Sequence, residues 1–162
     1  MQTEFRAIEW PTLLLFVVSY ALWAAGTTIL WQLSPTLAIL AAGLAIAQLS
    51  SLTHEVLHGH PFRSQFWSEA LVFPATSVFI PYLRFKDTHL QHHNDPALTD
   101  PYDDPESNFF DPAAWARLSA PMQVLLRFNN TLFGRMLIGP FVGTGIFLAT
   151  DWRLALQGDR RV

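Results

Sequence analysis

Two long apolar runs occupy the first third of the chain. Pro11 to Trp31 is a mostly apolar stretch, and Pro35 to Thr53 is a second. Each is long enough to cross about 30 Å of hydrocarbon at roughly 1.5 Å per residue. Gln32, Leu33 and Ser34 separate them, and Pro35 suits the first turn of a helix. The pattern predicts a transmembrane helical hairpin, with helices over about 11–31 and 35–53 and a very short turn. A cleaved signal peptide fits the first run less well. The run is longer than a signal's apolar region, and the residues before it carry Glu4 and Glu9 as well as Arg6. A pair of fully buried helices in a soluble core fits poorly too, because a chain of this size has little room to enclose them.

The pattern changes after Arg63. Gln65 to Leu83 is apolar but interrupted by Trp67, Ser68, Glu69, Pro74 and Pro81, and reads as an interfacial or re-entrant segment. Asn94 to Asp111 is a polar, Pro-rich loop. Asp111-Pro112 is a helix start, with Asp as N-cap and Pro at the first helical position. Helical spacing then runs from Pro112 to Phe128. Met136 to Thr150 is apolar again but short for a membrane crossing. It is a possible third membrane segment over 136–150. The fold class expected is all-α, with polytopic membrane helices forming a single membrane domain over 1–162.

Composition sharpens this picture. Hydrophobic residues make up 51% and charged residues 14%, against about 25% charged in ordinary soluble domains. Such a composition argues against disorder and against nucleic-acid binding. With no cysteine, thiolate nucleophiles, Cys-ligated zinc and Cys-held iron–sulfur clusters are excluded. Nine of the ten basic residues lie at or after Arg63, and the tenth is Arg6. By the positive-inside rule, both the N-terminus and residues 54–135 are expected on the cytoplasmic side.

All six histidines fall in two tight groups. His54, His58 and His60 sit in HEVLHGH where the second apolar run ends, and His89, His92 and His93 sit in HLQHH. Residues at i, i+3 and i+4 share one helix face. His54 and His58 meet that spacing, and so do His89, His92 and His93. His60 lies off the face unless the helix ends nearby, as Gly59 and Pro61 allow. Imidazole is the commonest metal-binding side chain and suits iron, copper and zinc. Six imidazoles exceed the three or four protein ligands of one zinc ion and point to a two-metal site. Ordinary hydrogen-bonded surface histidines would not cluster twice at ligand spacing.

An apolar hairpin, an HxxxH box just after it and an HxxHH box beginning at His89 together resemble the membrane-bound fatty acid desaturase superfamily. The resemblance covers roughly positions 10 to 150. It implies a di-iron centre held by His54, His58, His60, His89, His92 and His93 at the cytoplasmic membrane surface. Such a centre would use O2 and two electrons to attack an unactivated C–H bond of a lipid. An acyl chain is the first expectation for the substrate and a carotenoid the second. Hydroxylase and ketolase chemistry belong to the same superfamily. The electrons would come from a separate donor such as a ferredoxin or cytochrome. The family's third box, another HxxHH, has no counterpart after His93. These residues are therefore expected to be the N-terminal part of a larger desaturase-like domain, and to hold iron poorly and be inactive alone.

Around the boxes, Glu55, Asp87 and Asp95 are candidates to accept the second ring N–H of a ligand histidine. Asp100 to Glu106 reads as a solvated loop rich in turn residues. Arg63, Arg84 and Lys86 would suit an anionic headgroup, or equally serve as ordinary positive-inside charge. One rival occupies the same residues. His54-Glu55-Val56-Leu57-His58 is a literal HExxH, the zinc-protease pattern with Glu55 as general base. That reading leaves HLQHH unexplained. A third reading is a non-catalytic metal-binding subunit.

Overall fold

The computed structural model describes residues 8–74 and 80–158. Among them every regular element is an α-helix. Glu4, Arg6, the middle of the expected interfacial segment and the last four residues lie outside the described residues. The chain divides into two compact units, Met1–Val78 and Phe79–Val162.

In the first unit, α1 (Trp10–Thr27) and the short α2 (Ile29–Leu33) form one arm of a hairpin, and α3 (Pro35–Leu57) forms the other. The helix α4 (Gln65–Val72) follows. The break between α1 and α2 falls at Thr28. The Thr28 hydroxyl donates to the Ala24 carbonyl at 2.6 Å and the Thr27 hydroxyl to that of Trp23 at 2.9 Å. Threonines that bond back to the preceding turn bend helices in this way. The hairpin turn is tighter than the apolar pattern implies. Ser34 alone separates α2 from α3, capping α3 by accepting the Leu37 N–H, and Pro35 occupies the first turn.

The arms close on a seam of small residues. A Cβ on Gly26 would stand 3.2 Å from the Ala42 nitrogen and 3.3 Å from the Ala38 carbonyl oxygen, so a larger residue would push the facing backbone back by a few tenths of an ångström. Phe16, Ala45, Leu49 and Val56 are buried, and the Tyr20 hydroxyl donates to the Leu71 carbonyl at 2.7 Å, tying α1 to α4. The outer faces stay apolar. Only 17% of the Trp10–Leu33 window and 28% of the Pro35–Leu57 window is buried within the protein, with mean hydropathies of 2.0 and 1.7. Core helices of a soluble protein would be mostly covered. Among the described residues these two are the helices long and apolar enough to cross a membrane.

The second unit comprises α5 (Tyr82–Asn94), α6 (Pro112–Arg117), α7 (Ala120–Asn129), α8 (Leu132–Leu137) and α9 (Gly139–Leu156). The periodic stretch after Pro112 is split at Leu118 and Ser119, because Pro121 must sit in a first turn. The apolar segment over 136–150 is also divided, between the end of α8 and an α9 that runs on through Asp151 and Arg153. Arg84 Nε on α5 donates to Asp151 Oδ1 on α9 at 3.0 Å. Both side chains are mostly covered, so this pair anchors the helix that carries the second histidine box.

Asp111 caps α6 as its sequence predicts, accepting the N–H groups of Ala113 and Ala114 at 2.7 and 3.0 Å. It also accepts the Tyr102 hydroxyl. That hydroxyl, then the helix N–H groups, hold the Asp111 carboxyl below the usual carboxylate range. A carboxylate whose pKa is lower folded than unfolded stabilises fully above the unfolded value, about 3.9, and loses that contribution as pH falls through the folded value. Asp111→Ala is therefore expected to be less stable than wild type at pH 7, with the gap shrinking at pH 3. Chemical denaturation followed by helical circular dichroism at both pH values measures it. An equal gap at both would show that the charge of Asp111 contributes nothing.

Candidate metal centre

The first box straddles a helix end. α3 runs past the apolar segment to Leu57, which places His54 in its last turn and His58 at its C-cap. The end is a Schellman motif: Gly59 N–H donates to the Val56 carbonyl at 3.0 Å and His60 N–H to that of Glu55 at 3.3 Å. Gly59 adopts φ +90, a left-handed conformation that favours glycine. The chain reverses there, which carries His60 off the helix face. His54 and His58 keep their i, i+4 relation, with ring centroids 4.8 Å apart. His60 Nδ1 lies 2.7 Å from Glu9 Oε1, beside the start of α1. Glu55 lies next to His54 in sequence, but its carboxylate is 3.8 Å from His54 Nδ1 and half exposed.

The second box lies wholly on α5. His89 is buried, and His92 and His93 occupy the last turn. His89 Nε2 and His93 Nε2 are 2.9 Å apart. His89 Nδ1 meets Glu106 Oε1 at 2.9 Å, and His92 Nδ1 meets Asp104 Oδ1 at 2.7 Å. In each box the ligand nitrogens of the i, i+4 pair, His54 with His58 and His89 with His93, lie within 4.8 Å of each other.

The loop after α5 departs from the solvated loop its composition suggests. Asp104 is buried, with 5% of its surface exposed. Its Oδ2 accepts the Thr99 N–H at 2.9 Å, and its Oδ1 accepts the Glu106 N–H at 2.9 Å. Burial pushes the Asp104 carboxyl up, but these two N–H groups and His92 together bring it below its ordinary value. His92 is raised in turn, chiefly by its hydrogen bond to Asp104. Asp95 turns to its own loop, accepting the Ala97 N–H at 2.8 Å. Sequence reasoning missed Glu9, Asp104 and Glu106 as histidine partners. The signal available was the density of acids beyond HLQHH: Asn94 to Asp111 holds six of the thirteen.

The donor set fits a metal ion. A carboxylate at Nδ1 holds the ring proton there and leaves the Nε2 lone pair outward. The Nε2 atoms of His89 and His93, 2.9 Å apart, must share a proton or a cation. Adjacent ligands of one ion, each about 2.1 Å from it, stand roughly 3 Å apart.

These features define a membrane-associated helical protein with histidine clusters of metal-ligand type. The chain belongs to the fatty acid desaturase family: the family model for fatty acid desaturases matches residues 29–161. No curated protein and no solved structure matches it. Family membership places the chain among desaturase-type oxidoreductases that act in a membrane context on lipid substrates.

Proposed function

We propose that the two boxes supply the ligands of a pair of iron ions, and that the chain serves O2-dependent desaturation of an acyl lipid. The observation that carries this reading is the position of the first box. Ligand-spaced histidines begin on the turn where α3, a helix of membrane length, leaves its apolar stretch. A lipid chain in the bilayer and a metal at its surface are thereby neighbours. The six histidines exceed what one tetrahedral ion takes, and neutral imidazoles tolerate an oxidant. When bound, the iron pair would activate O2 to remove hydrogen from an unactivated methylene.

The chain's own residues hold and orient. His54, His58 and His60 are fixed by the end of α3 and by Glu9, and His89, His92 and His93 by α5. The second unit also carries an apolar groove of about 410 Å³ between α7 and α9, lined by Met122, Leu125, Phe141 and Ile146 among others, a surface suited to aliphatic chains. Electrons come from a separate donor of ferredoxin or cytochrome type, and the positive-inside rule puts the histidines on the cytoplasmic face.

A hydroxylase or ketolase acting on acyl chains or carotenoids would use the same ligands. The HExxH zinc-protease reading uses only His54, Glu55 and His58. Metal analysis of the purified chain, with Glu55→Gln beside it, separates the classes. Iron is expected to be held only weakly by this chain alone but still in excess of zinc, with Glu55→Gln retaining most of it. Zinc at one ion per chain, with a proteolytic activity that Glu55→Gln abolishes, would overturn the oxygenase reading.

A further inference from the structure

We propose that Asp104 and Glu106 form a clamp on the second histidine box, fixing His92 and His89 with the ring proton on Nδ1 so that both present Nε2 to a metal. The inference rests on the metal-binding reading above and adds residues to it. Helical spacing alone brings the three rings to one face, but it leaves each ring free to flip and to choose its tautomer. Either nitrogen of an imidazole can ligate, and they lie on opposite sides of the ring. A site needs the choice made beforehand.

The loop makes it. Asp104, Pro105 and Glu106 occupy three consecutive positions, and the two acids reach two different histidines through the same ring atom. Asp104 is the better fixed. It is buried, and each of its oxygens is occupied by a backbone N–H, so its carboxylate cannot swing away without leaving those donors unpaired. Thr99, whose N–H reaches Asp104, sits at φ +74. That conformation is uncommon outside glycine and especially so for a β-branched residue. Strain of this kind concentrates at functional sites. Ser107 pins the loop from the other side, its hydroxyl donating to the Thr99 carbonyl at 2.9 Å. The first unit shows the same pattern at His60, whose Nδ1 is taken by Glu9.

In this reading Asp104 and Glu106 are positioning residues: they touch the ligands, not the metal. Two measurements on the whole chain test them. The first is nitrogen-15 NMR of the histidine rings in the metal-free protein. His89 and His92 are expected to be protonated at Nδ1 in wild type, and His92 is expected to become a mixture of tautomers in Asp104→Ala. A wild-type His92 protonated at Nε2 and not at Nδ1 would overturn the clamp, with or without any metal. The second is titration with Co2+ alone, followed by its visible absorption. Asp104→Ala is expected to weaken Co2+ binding about 10- to 100-fold, the usual effect of losing such a partner. Asp104→Asn, which keeps an acceptor oxygen, is expected to recover part of it. Unchanged Co2+ affinity in Asp104→Ala with helicity intact would also overturn the clamp. If wild type binds no Co2+ while its tautomers are as expected, the metal-binding reading fails and takes the clamp's purpose with it, leaving only its hold on the tautomers.

Discussion

Replacing His89 with alanine is expected to weaken Co2+ binding by about 100-fold or more while the chain keeps its helical content. His89 is the buried member of its box, and it faces partners through both ring nitrogens. Nε2 lies 2.9 Å from His93 and Nδ1 2.9 Å from Glu106. Four-ligand zinc sites bind with about 10–16 kcal/mol, so one ligand carries roughly 3 kcal/mol, a factor of ~100 in Kd. Losing His89 also removes the histidine that meets Glu106 Oε1 and the nitrogen that meets His93 Nε2. The competing account makes His89 a packing residue on α5, its ring 5.6 Å from that of Phe85. On that account His89→Ala lowers stability and leaves Co2+ affinity unchanged. Titration by absorption, with circular dichroism on the same samples, separates the two.

The candidate ligands were legible in the sequence because ligation on a helix is periodic. A spacing of three or four positions is a geometric statement once the segment is helical, and α5 is helical across its whole box while α3 is helical through His54 and ends at His58. The stop at Gly59 was legible for a similar local reason, since glycine followed closely by proline ends helices. The acids that meet the candidate ligands were not legible. Glu9 meets His60 from 51 positions away, and Asp104 and Glu106 meet α5 from 12 and 17 positions away. No period links them. Their pairing depends on how the chain returns, and that return is set by turns such as the one at Thr99. Composition misleads here, because an acidic, proline-rich loop reads as solvated until one of its carboxylates proves to be buried. The nearest acids, Glu55, Asp87 and Asp95, are attractive on proximity alone. Asp95 shows why that is weak evidence: an Asp just past a helix end readily turns to a backbone N–H two residues on.

The lengths of the helices were also only partly legible. Hydropathy marks where lipid contact is favourable, and α3 continues for one further turn because nothing stops it before Gly59. That extra turn carries His54, a candidate ligand, so the apolar helix and the candidate metal site are joined by a continuous piece of backbone. A rigid connection of this kind fixes the depth of His54 relative to the apolar stretch of α3.

Gly134→Ala is expected to destabilise the second unit by about 2–3 kcal/mol, whereas the same substitution at Gly143 or Gly145 is expected to be neutral or mildly stabilising. Gly134 lies in the first turn of α8, where the chain doubles back on the end of α7. A Cβ there would stand 3.0 Å from the Asn129 nitrogen and closer still to the Phe128 carbonyl, and both are backbone atoms that cannot rotate aside. The Phe128 carbonyl is already committed, accepting the Thr131 N–H at 2.9 Å and the Thr131 hydroxyl at 2.7 Å. That hydroxyl in turn caps α8 by accepting the Gly134 N–H at 3.0 Å. Displacing one side of this turn therefore breaks several hydrogen bonds together, each worth about 1 kcal/mol. Gly143 and Gly145 lie on α9 with nothing near the position a Cβ would take. There alanine only removes conformational freedom from the unfolded chain, an effect of roughly 0.5–1 kcal/mol in favour of the helix. Urea unfolding in detergent micelles compares the three variants directly. Equal stabilities for all three would mean that the α7–α8 turn is not as closely packed as the Gly134 geometry requires.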